Sequence, residues 1–175
     1  MALRKGHCYT NLERAYTRRS KVKSKGYIKS APASKISKFI MGDLATYNSR
    51  KFDSSVSLIS NQTIQLRDNS IEAARQLVLR HLTEQVKSFA FFVMIYPHHV
   101  LRENKMITGA GADRMQSGMK HSFGKPVNLA ARVYAGNKIF IIACAKEKIP
   151  EVHKILSRAR AKLPGKYTLI VEKLK

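Results

Sequence analysis

Between Arg102 and Lys125 the chain sets five cations, Arg102, Lys105, Arg114, Lys120 and Lys125, among the glycines Gly109, Gly111, Gly118 and Gly124. Small residues let backbone N–H groups approach a ligand closely, and the cations add charge, so phosphate and ribose are the fitting ligands. Met106, Ile107, Met115 and Met119 stand among them and suit packing against bases or neighbouring protein. A second cationic set lies near the N-terminus: Arg4, Lys5, Arg14, Arg18, Arg19, Lys21, Lys23 and Lys25, interleaved with Tyr9, Tyr16 and Tyr27. Cations spaced among aromatics fit a segment ordered on RNA by phosphate contacts and stacking. These cations and Tyr16 are the candidate RNA contacts of that segment.

Other chemistries fit less well. Thr108-Gly109-Ala110-Gly111-Ala112-Asp113-Arg114 lacks the third glycine of a dinucleotide fingerprint, and no strand leads directly into it. Around Gly118-Met119-Lys120 neither the earlier glycine of a phosphate-binding P-loop nor its following Ser or Thr is present. His98 and His99 are adjacent, so on a strand they point to opposite faces and do not share an ion easily. No metal site is expected. Nothing resembles a nucleophile elbow or a catalytic Cys-His signature, and Glu103 and Asp113 beside so many cations read as salt-bridge partners. The chain is expected to be no enzyme and to need no cofactor.

The overall charge agrees. Thirty-three Lys and Arg against eleven Asp and Glu give +22, and the first 51 residues hold thirteen basic and two acidic side chains. Such a segment has little to bury and repels itself, so it favours an extended chain. A polyanion is its natural partner, because each cation placed on a phosphate releases counterions. An anionic membrane is the weaker reading: residues 1–35 show no amphipathic rhythm, and the longest apolar run, Phe89 to Tyr96, is far short of a span. No secretory signal is visible. Cys8 and Cys144 form no framework, and the setting reads as reducing and cytoplasmic.

The elements that must position these residues follow from periodicity. Residues 1–52 read as a basic arm with a transition at Ile36, Phe39, Ile40 and Met41; residues 53–175 read as one α+β domain. Ser55–Leu58 and Ile64–Leu66 alternate as a bent or paired pair of strands. Ile71, Ala74, Val78, Leu82 and Val86 predict a helix over 70–87, with Arg75, Arg80 and Glu84 outside. Phe89–Ile95 reads as a strand buried on both faces, with His99–Arg102 as a neighbouring strand. The segment 103–126 is a long functional loop, in which Asp113 can cap a short helix over 114–120. Asn128–Tyr134 and Lys138–Ala145 flank Ala135-Gly136-Asn137 like a tight hairpin. Pro150 opens a helix with Val152, Ile155, Leu156, Ala159 and Leu163 on one face, and Tyr167–Val171 is a last strand. The sum is a mostly antiparallel sheet carrying two main helices.

The run Arg102 to Lys120, followed by Ser122-Phe123-Gly124-Lys125-Pro126, closely resembles one family. This is the universal large-subunit ribosomal protein called L-ten-e in archaea and eukaryotes, with L-sixteen its bacterial counterpart. The likeness extends through Ala131-Arg132-Val133 and Ala161–Gly165, and back to His7-Cys8-Tyr9 and Ala15–Arg18. The resemblance implies a hammerhead-type α+β domain bound to large-subunit rRNA near the peptidyl-transferase region, in contact with neighbouring ribosomal proteins. It implies a cytoplasmic, ribosomal location and no homo-oligomer. It also implies that the loop residues Lys105, Met106, Ile107, Thr108, Gly109, Ala110, Gly111, Ala112, Asp113, Arg114, Gln116 and Ser117 lie near the tRNA acceptor end and catalytic-centre rRNA. Three departures stand out. Lys120 occupies a usual Arg position, Asn128-Leu129 replaces a common Gly-Thr, and the arm between Lys21 and Ser34 differs most. The end at Lys175, without the extension of eukaryotic relatives, favours an archaeal-type member. A free-standing RNA-binding protein and an RNA-processing enzyme are the alternatives.

Overall fold

The computed structural model describes residues 4–12, 17–18, 26–28, 30–105, 109–111 and 124–174. Among the described residues ten strands and three α-helices follow one another: β1 (Thr17–Arg18), β2 (Gly26–Tyr27), β3 (Ile40–Gly42), α1 (Leu44–Asn48), β4 (Ser54–Ser60), β5 (Ile64–Arg67) and α2 (Asp68–Gln85). Then come β6 (Ala90–Val93), β7 (His99–Glu103), β8 (Lys125–Val133), β9 (Lys138–Cys144), α3 (Ile149–Ala159) and β10 (Tyr167–Lys173). The α+β class expected from the periodicity is the class observed. The strands form an antiparallel five-stranded sheet in the order β10-β4-β9-β6-β3 and an antiparallel three-stranded sheet in the order β5-β8-β7. A short parallel pair, β1-β2, joins the two described pieces of the arm.

Strands consecutive in sequence part company. β4 and β5 are expected as a bent or paired pair and β8 and β9 as a hairpin, but in each case one strand joins each sheet. The turn after β8 does form, with Asn137 N donating to Tyr134 O at 3.1 Å and Gly136 at φ +89°. Beyond it, however, β9 turns away to lie between β4 and β6. The two crossovers run side by side: Gly136 N donates to Ser60 O at 2.8 Å, and Ser60 N to Asn137 O at 3.0 Å. These bonds satisfy backbone groups that a simple hairpin would have paired with its own partner. β7 likewise joins β8 instead of neighbouring β6. β6 is only partly enclosed, with Phe92 half-buried and Met94, just past its end, 55% exposed.

One main core lies between the helices and the five-stranded sheet. α2 contributes Ile71, Ala74, Val78 and Leu82, and α3 contributes Val152, Ile155, Leu156 and Ala159, against Val56, Leu58, Phe91, Phe140 and Ile142. Phe91 and Phe140 meet edge-on, with centroids 5.4 Å apart. Each buried aliphatic or aromatic side chain here stabilises by about 1.5–3 kcal/mol. Helix α2 begins at Asp68, two residues before the expected start. The Asp68 carboxylate accepts from Asn69 N at 2.8 Å and from Lys35 N at 3.3 Å, so it serves the helix end and the incoming chain together. Helix α1 was not expected, although its signal is local: Asp43 accepts from Thr46 N at 3.0 Å as the N-cap. No helix among the described residues is long and apolar enough to cross a membrane.

Arg75 overturns the expected helix face. It is 5% exposed, and its guanidinium donates to both Glu72 carboxylate oxygens, at 2.7 and 2.5 Å. It donates further to Ser37 Oγ at 2.8 Å and to the Met41 sulfur at 3.0 Å. Residues 37–41 cross over this part of α2, so an arginine that would face water on a bare helix becomes the clamp for that crossing. Its fork of donors suits the task, since one planar group reaches four acceptors.

Candidate nucleic-acid interface

The three-stranded sheet carries the candidate site. β7 and β8 run antiparallel with Glu103 opposite Lys125, and the Gly-rich loop leaves from this end. Arg102 stands on β7, Lys105 is exposed just beyond it, and Lys125 is exposed at the start of β8. Gly109, Ala110 and Gly111 are exposed in a turn. Met106, Ile107, Thr108, Ala112, Asp113, Arg114, Gln116, Ser117 and Lys120 lie outside the described residues, as does the short helix expected over 114–120.

The base of the loop is tight. Gly124 sits at φ +75°, and a Cβ there would lie 2.9 Å from Glu103 C and 3.0 Å from Asn104 N. Only glycine allows this close approach, and it brings the two loop ends together over the last rung of the β7-β8 ladder.

The start of the arm docks beside the loop. Arg4 Nε lies 3.6 Å from Glu103 Oε1, and Arg67 at the end of β5 donates to Arg4 O at 2.9 Å. The Arg67 guanidinium sits over the Tyr9 ring, 5.5 Å from its centroid. Gln65 completes the junction: its N–H donates to Thr10 O at 2.9 Å and its amide to Tyr9 O at 3.0 Å. Burial, then the Glu103 charge, pushes the Tyr9 hydroxyl above its ordinary value, so it stays protonated as a donor. Residues 6–9 form a 3-10 turn here, and a cleft of about 340 Å³ opens between Gly6, His7, Arg67, Ser70 and Lys162.

The structure thus brings together Arg4, Arg102, Lys105 and Lys125, with Lys5 exposed nearby in the chain. Arg18 lies on β1, and its side chain is outside the described set; Arg14, Tyr16, Arg19, Lys21, Lys23 and Lys25 also lie outside it. Periodicity missed Arg67 and Gln65, which join the arm to the sheet. Their only sequence signal is a cation and an amide on a short strand, which any solvent-facing strand shows.

Two residues of β8, Asn128 and Leu129, tie the end of the arm to this sheet. Asn128 Oδ1 accepts from Lys35 Nζ at 3.2 Å, and Leu129 packs with Val100 and Ile28 in a small separate core with Ala31 beside it. Asn128 and Leu129 therefore hold Ile28, Ala31 and Lys35 against β8.

Geometrically this is a positively charged sheet end with the described start of the arm, residues 4–10, tied alongside the base of a glycine loop. Among the described residues no group of three or more His, Cys, Asp or Glu is arranged to hold a metal. Comparison with known proteins agrees with the motif. The family described as ribosomal protein L16p/L10e matches residues 13–170. A protein of Metallosphaera sedula named large ribosomal subunit protein uL16 is 42% identical over 180 residues, covering 100% of this chain and 97% of the relative. The proteins of the same name from Staphylothermus marinus (39%, covering 100% and 97%) and Methanocella arvoryzae (40%, covering 99% and 96%) are similar throughout. With the loop motif, the fold and these matches in agreement over nearly the whole sequence, the chain belongs to the ribosomal protein L16p/L10e family.

Proposed function

We propose that this chain is a structural constituent of the large subunit of the cytoplasmic ribosome, acting by binding and not by catalysis. The observation that carries the reading is the meeting of the arm's start with the loop's base: Arg4 on Glu103, and Lys125 opposite Glu103, stand at one end of β7-β8. In this reading the arm and transition, residues 1–52, neutralise rRNA phosphates, while the domain of residues 53–175 supplies a rigid base. Arg4, Lys5, Arg14, Tyr16, Arg18, Arg19, Lys21, Lys23 and Lys25 act from the arm, and Arg102, Lys105, Arg114, Lys120 and Lys125 from the loop. The loop residues Lys105 to Ser117 stand beside the tRNA acceptor end and the rRNA of the peptidyl-transferase region. The rRNA performs the chemistry, and the protein's work is positioning. Neighbouring ribosomal proteins are its other partners, and self-association is disfavoured by the +22 charge on each copy.

Sedimentation tests the address. The native protein is expected to travel with the large subunit through a moderate-salt gradient; its absence from that fraction would sink the proposal. Deleting Ile107 to Ala112 tests the division of labour. Subunit binding should persist while translation falls, and loss of binding with normal translation would contradict it.

A further inference from the structure

Three aromatic rings form a line at the start of β7, the end opposite the loop. Phe39 stacks on Tyr96 with centroids 5.4 Å apart and planes 26° from parallel. Tyr96 in turn meets His98 at 4.6 Å with a tilt of 47°. The line is anchored at one end and open at the other: Phe39 packs against the main core, Tyr96 is 43% exposed, and His98 is exposed. Backbone bonds hold it still. Val93 N donates to Phe39 O at 2.8 Å, Met94 N donates to Ile139 O at 2.9 Å, and Pro97 between the outer rings is buried.

We propose that the Phe39–Tyr96–His98 ladder is a stacking platform for an unpaired nucleobase of an RNA strand, with exposed Lys38 taking the adjacent phosphate. The proposal rests on the RNA-binding reading above and assigns it a second site, separate from the arm and the loop. Every base presents a π-face, so a rigid exposed ring captures single-stranded RNA with little sequence preference. Duplex RNA keeps its bases stacked inside and offers this platform nothing. The neighbouring side chains Ile40 (53% exposed) and Met94 (55%) would also suit an apolar protein segment. Three features favour RNA over that occupant: the row ends in an imidazole, exposed Lys38 precedes Phe39 in the chain, and the whole chain carries +22.

Two RNA probes separate the possibilities: a ten-nucleotide oligoadenylate single strand and a ten-base-pair blunt duplex, each titrated with the full-length chain by fluorescence anisotropy. Tyr96→Ala with His98→Ala is expected to weaken single-strand binding about fivefold or more, with duplex affinity changed less than about twofold. Tyr96→Phe should bind as the parent does, which shows that the ring and not the hydroxyl matters. His98→Ala alone, at an exposed position, guards against misfolding of the double variant and should give part of the loss. Lys38→Gln should lower the single-strand salt slope by about 0.7. Equal losses on both probes, or no loss on either, overturn the platform. So does unchanged RNA binding with loss of a neighbouring ribosomal protein. Sedimentation with the large subunit is scored apart: absence there defeats the ribosomal reading, whereas the probe ratio judges the ladder alone.

Discussion

Replacing Arg75 by Met keeps a long side chain on α2 and removes its charge and donors. In the parent, Arg75 holds the Glu72 carboxyl down to about 2, first through its side-chain hydrogen bond; burial opposes this, and Gln76 and the Ser37 N–H assist. The Glu72 side chain is 13% exposed and that of Arg75 6%, so water screens the pair weakly. A fall from 4.5 to about 2 corresponds to about 3 kcal/mol, reduced to about 2 by the remaining screening. The sign follows from the depressed value. The stabilisation is fully present above about pH 5, and it is lost as pH falls towards 2 and the folded carboxylate takes up its proton. Arg75→Met is therefore expected to lose about 2–3 kcal/mol at pH 7, since it leaves a nearly buried carboxylate without its cation and the Met41 sulfur without its donor. In urea, at about 2 kcal/mol per molar, the midpoint should fall by about 1 M. Followed by circular dichroism, the acid limb between pH 5 and 2 should flatten in the variant. Adding Glu72→Gln to Arg75→Met should restore part of the loss, because the unpaired charge is gone. A single variant within about 0.5 kcal/mol of the parent would refute the clamp. So would a double variant no more stable than the single one.

Gly124→Ala should strain the loop base, through both its positive φ and the contacts with Glu103 and Asn104. It is expected to cost about 1–3 kcal/mol, seen as a lower Tm. Lys87 ends α2 at φ 63°, with its N–H on Leu82 O at 3.0 Å, so Lys87→Gly should raise stability by about 0.5–1 kcal/mol in urea titration. The thiols should separate by access: Cys8 is exposed, whereas burial pushes the fully enclosed Cys144 thiol up to about 11. Iodoacetamide at pH 8 should add one group to the folded chain and two after unfolding, counted by mass spectrometry; two additions to the folded chain would contradict the described core.

Much of the local structure was legible. The 3.6-residue rhythm of Ile71 to Leu82 and the Pro150 start located both long helices, alternation located β4 and β5, and apolar runs bounded by turn residues located β6 to β10. Partner choice was not legible, because alternation reports which face is buried and says nothing of which strand lies alongside. The Ala135-Gly136-Asn137 turn looked like a hairpin for that reason, although its strands serve different sheets. Arg75 was misplaced for a related reason: a cation on a helix reads as solvent-facing until another segment crosses it, and residues 37–41 do so from more than thirty positions away. At the candidate site, the loop motif and its cations were evident from residue types. The junction of Arg67, Gln65 and Tyr9 was not, since it joins segments whose proximity only the fold creates.

The interleaving of the sheets sets the order in which this chain can fold. β10 is the last strand and pairs with β4, Tyr167 opposite Ser60 and Lys173 opposite Ser54, while β9 on the other side of β4 also arrives late. Contacts so far apart in sequence slow folding, because loop closure precedes any gain from pairing. During synthesis the polycationic segment emerges ahead of its domain, long before that domain can close. The nascent chain therefore presents its charge to RNA while β4, with its apolar Val56 and Leu58, still waits for both neighbours.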